Sequence, residues 1–177
     1  MQTRMTSQKP TLGYFCTLVA LAASLVMVSG SLAIASPGPS EEQQKPILAQ
    51  RVTEELVAMH AEIVSMEVSA TPPGQATCVT IAATEAKEVG GKCDDDEFTA
   101  MKTNKPFVEK EKEGGKEVFD VTMPMHDASG KVMGTIGLDF KPAPDQEQSQ
   151  VVEQATQIVR EFEKRIPSRA KLFARAE

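Results

Sequence analysis

Apolar and polar positions along the chain follow two different periods. Ile47, Leu48, Val52, Leu56, Met59 and Ile63 recur mostly at three- and four-residue steps, which lays one apolar stripe along a helix. Pro46 suits a first helical turn, and the spacing predicts a helix over 46–61. Residues 63–70 (IVSMEVSA) shift to a looser alternation rich in β-branched side chains, and Thr71-Pro72-Pro73-Gly74 breaks the run, so a strand ends there. A short strand follows at 78–82, then a polar loop with paired glycines at 85–92. The acid triplet Asp94-Asp95-Asp96 opens a short helix, since acids complement the amides and dipole of a helix N-terminus. Phe107–Lys112 reads as another strand and 113–116 as a turn.

Residues 119–142 (FDVTMPMHDASGKVMGTIGLDFKP) carry the clearest alternation. Phe119, Val121, Met123 and Met125 point one way, and Asp120, Thr122, Pro124 and His126 the other. Beyond the DASG turn, Val132, Gly134, Ile136, Leu138 and Phe140 share a face opposite Met133, Thr135, Gly137 and Asp139. The hairpin strands are predicted at 117–126 and 131–140. A last helix follows Pro142 and Pro144, with Asp145 as its expected cap and Gln148 at the capping-box spacing. Val151, Val152, Ala155, Ile158, Val159, Phe162 and Ile166 form its apolar face, and Pro167 ends it. The tail from Ser168 either forms a short basic helix or frays. Strands grouped in the middle with helices at both ends predict an α+β domain: an antiparallel sheet with helices on one face.

The N-terminus changes how much of the 177-residue chain belongs to that domain. Arg4 and Lys9 precede an apolar run from Tyr14 to about Val28, and Ala33-Ile34-Ala35 offers small residues before Pro37. This is the order of a secretory signal peptide, assigned to 1–35, with a Pro- and acid-rich flexible lead-in at 36–45. An uncleaved membrane anchor is the alternative, although the run is short for ~20 apolar residues. The domain then spans 46–166 and the tail 167–177. Without Arg4 and Lys9 the 19 basic residues fall to 17 against 25 acidic, a formal charge of −8. Such a chain is a poor fit to nucleic acid, which requires clustered Lys and Arg.

Of the three cysteines, Cys78 and Cys93 lie beyond the signal. In an oxidising compartment such a pair tends to close, and closure would contribute ~3 kcal/mol on the chain-entropy model. Two separate thiols remain the other reading. The C-x-x-C spacing of a redox enzyme is absent, and the two histidines offer no zinc ligand set. The acid triplet lacks the spacing of a calcium loop. No G-x-S-x-G, H-E-x-x-H or phosphate loop occurs. The sequence therefore predicts no enzyme, cofactor or metal.

The run FDVTMPMHDASGKVMGTIGLDFKP resembles the C-terminal hairpin of Cache domains, PAS-like extracytoplasmic sensors of bacterial receptors and histidine kinases. The leading helix, the strand before Pro-Pro-Gly, the segment CVTIAATEAKEVGGKCDDDEF and the closing helix are similar to that pattern over roughly 46–165. The resemblance implies a solitary exported sensory domain that reports a small organic ligand to a membrane receptor or histidine kinase. In the resembled family the ligand sits on the sheet face opposite the long helix, under loops, which here are 71–77 and 83–105. The resemblance places Asp139 facing the ligand, with Thr122 and His126 as neighbours. A carboxylate there suits an amine, whereas His126 or Lys105 suits a carboxylate, so amino acid, amine and carboxylate ligands stay open. The bland reading is a solvated sheet face. The rival function is a ligand-free interaction module that forms a homodimer through the first helix.

Overall fold

The computed structural model describes residues 45–113 and 115–177; the expected signal peptide and nearly all of the lead-in fall outside them. Helix α1 is Leu48–Met59. Its buried side, Ala49, Val52, Thr53 and Leu56, is the three/four-spaced stripe read from sequence. It begins two residues later than expected because Pro46 and Ile47 are extended and engaged elsewhere. The Ala176 amide donates to the Pro46 carbonyl, the Leu48 amide donates to Ala174, and Ile47 bridges Arg175. The tail therefore docks: it forms a one-turn helix after Pro167, and Leu172 and Ala176 are buried.

Strands β1 (Ile63–Ala70), β2 (Val79–Ala83), β3 (Phe107–Glu113), β4 (Lys116–His126) and β5 (Val132–Phe140) form one sheet in the order β2-β1-β5-β4-β3. Every neighbouring pair is antiparallel. Helix α2 (Asp95–Thr103) lies between β2 and β3 in sequence, and α3 is Gln148–Arg165. The fold is α+β, as the sequence predicts, with both long helices on one face.

That face holds the core. Met66 and Val68 of β1, Phe119, Val121 and Met123 of β4, and Ile136, Leu138 and Phe140 of β5 are buried against α1 and α3. From α3 they meet Val151, Ala155, Ile158, Val159 and Phe162. With no Trp, and with the one Tyr in the N-terminal segment, the core depends on these aliphatic and Phe side chains, each contributing ~1.5–3 kcal/mol on full burial. The apolar side of α1 is occupied within the chain.

Helix α3 starts later than the Asp145 cap predicts. Ala143–Gln146 makes a turn closed by the Gln146 amide on the Ala143 carbonyl, and Asp145 takes a left-handed φ of 58°. Glu147 is the actual cap, and its amide donates to Gln150 Oε1 at 3.0 Å in a capping box two residues further on.

Candidate ligand-binding cup

Strand register decides what the other sheet face presents. Ser65 pairs with Asp139 and Glu67 with Gly137 across β1 and β5. Asp120 pairs with Asp139 and Thr122 with Gly137 across β4 and β5. Cross-strand partners point to the same side, so Ser65, Glu67, Asp120, Thr122, Gly137 and Asp139 share one patch. Beyond it, Glu111 of β3 and Thr80 of β2 complete the floor of a cup of about 280 Å³.

The cup's wall comes from the segment between β2 and β3. The Thr80 amide donates to the Gly91 carbonyl and the Gly90 amide to the Thr80 carbonyl, each at 2.9 Å, which folds this segment along the outer edge of β2. Gly90 has a φ of +94°, a conformation that favours glycine. Cys78 and Cys93 form a disulfide with a Cα–Cα distance of 5.4 Å, tying the start of β2 to the entry of α2. Asp94 then caps α2, its amide donating to Glu97 Oε2 at 2.9 Å in a capping box. The acid triplet thus caps the helix as expected, and Asp94 and Asp96 also face the cup. Thr122 Oγ1 donates to Asp96 Oδ2 at 2.6 Å, joining α2 to the floor. The cup lies under part of the 83–105 cover, and residues 71–77 are not among its lining.

Negative charge dominates this cup. Glu67, Glu111, Asp120 and Asp139 contribute carboxylates from the sheet. Glu88, Asp94, Asp96 and Glu97 contribute four more from the wall, and Lys92 is the one basic residue among those described around it. Burial pushes the Glu67 carboxyl up to about 7, with the Glu88, Glu97 and Asp139 charges adding to the shift. Asp120 also rises to about 7, through burial first and then repulsion from Asp139 and Asp96. Asp139 is raised by burial, partly offset by the Ser65 hydroxyl donating to its Oδ2 at 2.5 Å. Asp94 rises to about 7 because it shares a hydrogen bond with Asp96. Asp96 shifts down: burial opposes ionisation, but hydrogen bonds from Asp94, Thr122 and backbone amides outweigh it. Burial is the first cause of the rise at Glu67, Asp120 and Asp139, and repulsion among the acids adds to it. A cation entering the cup would offset that repulsion.

Of the ligand residues expected from sequence, Thr122 and Asp139 line the cup, and His126 and Lys105 do not. Lys105 is exposed. A register shift between Met125 and His126 re-aims the histidine, as bulges do. Its Nδ1 lies 3.0 Å from Glu163 Oε1 on α3 and its Nε2 2.6 Å from Asn104 Oδ1 at the end of α2. Its backbone amide donates to the same Glu163 oxygen at 2.7 Å. His126 is thus a strut between helices on opposite faces. His126→Ala should cost about 1–2 kcal/mol in chemical denaturation; an unchanged midpoint would remove the strut from the account.

Glu67 and Asp120 are the residues that sequence reasoning missed. Both carry a signal: Glu67 sits between Ser65 and Ser69 on the polar phase of 63–70, and Asp120 on the polar phase of the hairpin. At the rim, Glu109, Glu111 and Asp120 bring carboxylate oxygens within 4.8 Å of one another, the one such trio among the described residues. Exposed acids cluster this way without an ion, and the trio assigns none.

No family profile and no curated protein matches the chain. Among solved structures, the second GAF domain of DevS from Mycobacterium smegmatis is similar at 13% identity and TM-score 0.47, covering 65% of this chain and 90% of that one. The E. coli DcuS sensor domain is similar at 16% identity and TM-score 0.40, covering 60% and 71%. The type II free methionine-R-sulfoxide reductase from Thermoplasma acidophilum is similar at 12% identity and TM-score 0.43, covering 64% and 90%. These likenesses span sensors and an enzyme and assign no activity, so the chemistry is read from this chain's own residues.

Proposed function

We propose that this chain is an exported sensory domain of Cache type that binds a small organic cation, an amine, and reports it to a membrane receptor or histidine kinase. The observation that carries the ligand class is the cup itself: eight carboxylates and one lysine around about 280 Å³. An ammonium group satisfies several of those acids at once, and a lone carboxylate ligand meets like charge on every side. An amino acid fits only if its carboxylate reaches Lys92 or the open mouth. The disulfide favours an oxidising compartment, and the apolar run after Arg4 and Lys9 supports export.

Thr122, Asp139, Glu67 and Asp120 are the proposed ligand contacts. A thermal-shift panel of amines, amino acids and carboxylates at pH 8 tests the reading. A bound amine at a hundredfold excess over its Kd stabilises by ~2.7 kcal/mol, a shift of several degrees. Carboxylates should leave the transition where it is. Stabilisation by carboxylates alone, or by nothing in the panel, would overturn the proposal.

A further inference from the structure

A second hollow lies outside the cup, between the loop at 71–77 and helix α2. It is an open groove of about 620 Å³. Thr71, Thr77 and Cys78 form one side, and Phe98, Met101 and Lys102 the other. The loop side is anchored, because Arg169 Nη2 of the docked tail donates to the Thr71 carbonyl. Phe98 is 50% exposed, unlike the buried Phe119, Phe140 and Phe162. A lone exposed phenylalanine is ordinary. What sets this one apart is the disulfide in the groove that it lines.

Cys78, one half of the Cys78–Cys93 bridge, belongs to the groove lining. Neither half-cystine is fully sealed, with 4% of the Cys78 surface and 8% of the Cys93 surface exposed. The bridge joins residues 15 positions apart. The segment between them carries Glu88, Gly91 and Lys92 of the cup, and Asp94 follows directly. The groove therefore reaches one end of the bridge, and the cup wall continues from the other. Lys102 gives the groove a positive charge, which favours the approach of a thiolate. The apolar side chains of Phe98 and Met101 favour a thiolate carried on a protein surface over a free small thiol.

We propose that this groove docks a protein carrying a dithiol, whose apolar rim covers Phe98 and Met101 and whose thiolate exchanges with the Cys78–Cys93 bond, so that the redox state of the bridge governs the cup wall. The partner's thiolate attacks Cys78 Sγ. The Sγ–Sγ bond breaks, its electron pair leaves on Cys93, and the Cys93 thiolate takes a proton from water. The partner's second thiol, on losing its proton, attacks the partner sulfur of the mixed disulfide and expels Cys78 as a thiolate, which is protonated in turn. Two electrons have then passed from the dithiol to this chain, and the partner holds the disulfide. The reverse exchange recloses the bridge. This surface goes beyond the amine reading and does not depend on it.

Thioredoxin, a protein dithiol, and dithiothreitol, a small one, test the proposal on the folded domain, with new thiols counted by alkylation and mass spectrometry. Thioredoxin should open the bridge at least tenfold faster at equal concentration. Phe98→Ser should cut the thioredoxin rate at least tenfold and leave the dithiothreitol rate unchanged, and Phe98→Leu should restore most of it. Met101→Gln supplies the same comparison should Phe98→Ser disturb the fold, which the melting temperature of the oxidised variant reports. A thioredoxin rate no faster than that of dithiothreitol, or one that these variants leave unchanged, overturns the docking surface. Reduction of the wild type should also speed tryptic cleavage after Lys87 and Lys92, both exposed, at least tenfold. Cleavage at the oxidised rate would overturn the control of the wall.

Discussion

Replacing Glu67 by Gln and Asp120 by Asn should raise the melting temperature of the ligand-free domain at pH 8 by roughly 10 °C. Both acids have a folded-state pKa of about 7, above their ordinary values of 4.5 and 3.8. Folding therefore disfavours their ionised forms. The associated stability is fully present below pH ~4, is lost as pH rises toward 7, and is absent above that. After allowance for solvent screening at these partly exposed groups, each contributes about 1–2 kcal/mol. The wild type should accordingly unfold at a higher temperature at pH 5 than at pH 8, and the double variant should show a much flatter profile. On the amine reading the same variant should also bind amines more weakly, because it removes two of the negative charges around the cup. A double variant no more stable at pH 8 than the wild type would mean that the cup's acids do not strain the fold.

Gly134→Val should be the most damaging single change in the sheet. Its Cβ would overlap the Ser69 carbonyl at 2.2 Å, and the Met125 Cε and Ala70 Cβ lie only 3.0 and 3.1 Å away. A flexible side chain can move aside, but a backbone carbonyl in the central β1–β5 pair cannot do so without separating the strands. The loss should exceed the ~1–3 kcal/mol of ordinary overpacking, read from denaturant midpoints or from failure to recover folded protein. Gly134→Ala should already be severely destabilised. If it unfolds at the wild-type midpoint, the close approach of β1 and β5 is not a constraint on the fold.

Much of the architecture is legible in the sequence because single stretches carry complete patterns. The hairpin from 117 to 140 states both of its faces and its turn without reference to any other segment, and its strands at 116–126 and 132–140 depart from the reading by one residue. Helix α3 announces its buried side through seven apolar positions. Its start is not legible, because two capping boxes compete within 145–150 and the intervening turn decides between them. The tail's docking is equally hidden, since its partner is the backbone of Pro46, Ile47 and Leu48, far away in sequence.

The acid cup shows most clearly where local patterns stop. Glu67 and Asp120 each sit on a polar phase, but neither stretch reveals that they face the same space. That follows from the strand order, in which β1 adds beside β5 and not beside β3 or β4. Asp139, between them, is the link: Ser65 pairs with it from one side and Asp120 from the other. The acid triplet before α2 carries an explanation sufficient in itself, helix capping, and capping is present. Its second role comes only from the disulfide and the Gly91 contacts that fold this segment over the sheet.

The meeting of Pro46 with Ala176 and of Ile47 with Arg175 has a mechanical consequence. The first and last described segments lie side by side, so tension across the two ends of the domain meets this pairing first. Tension applied across that spot would peel the two backbone contacts in sequence before loading the sheet.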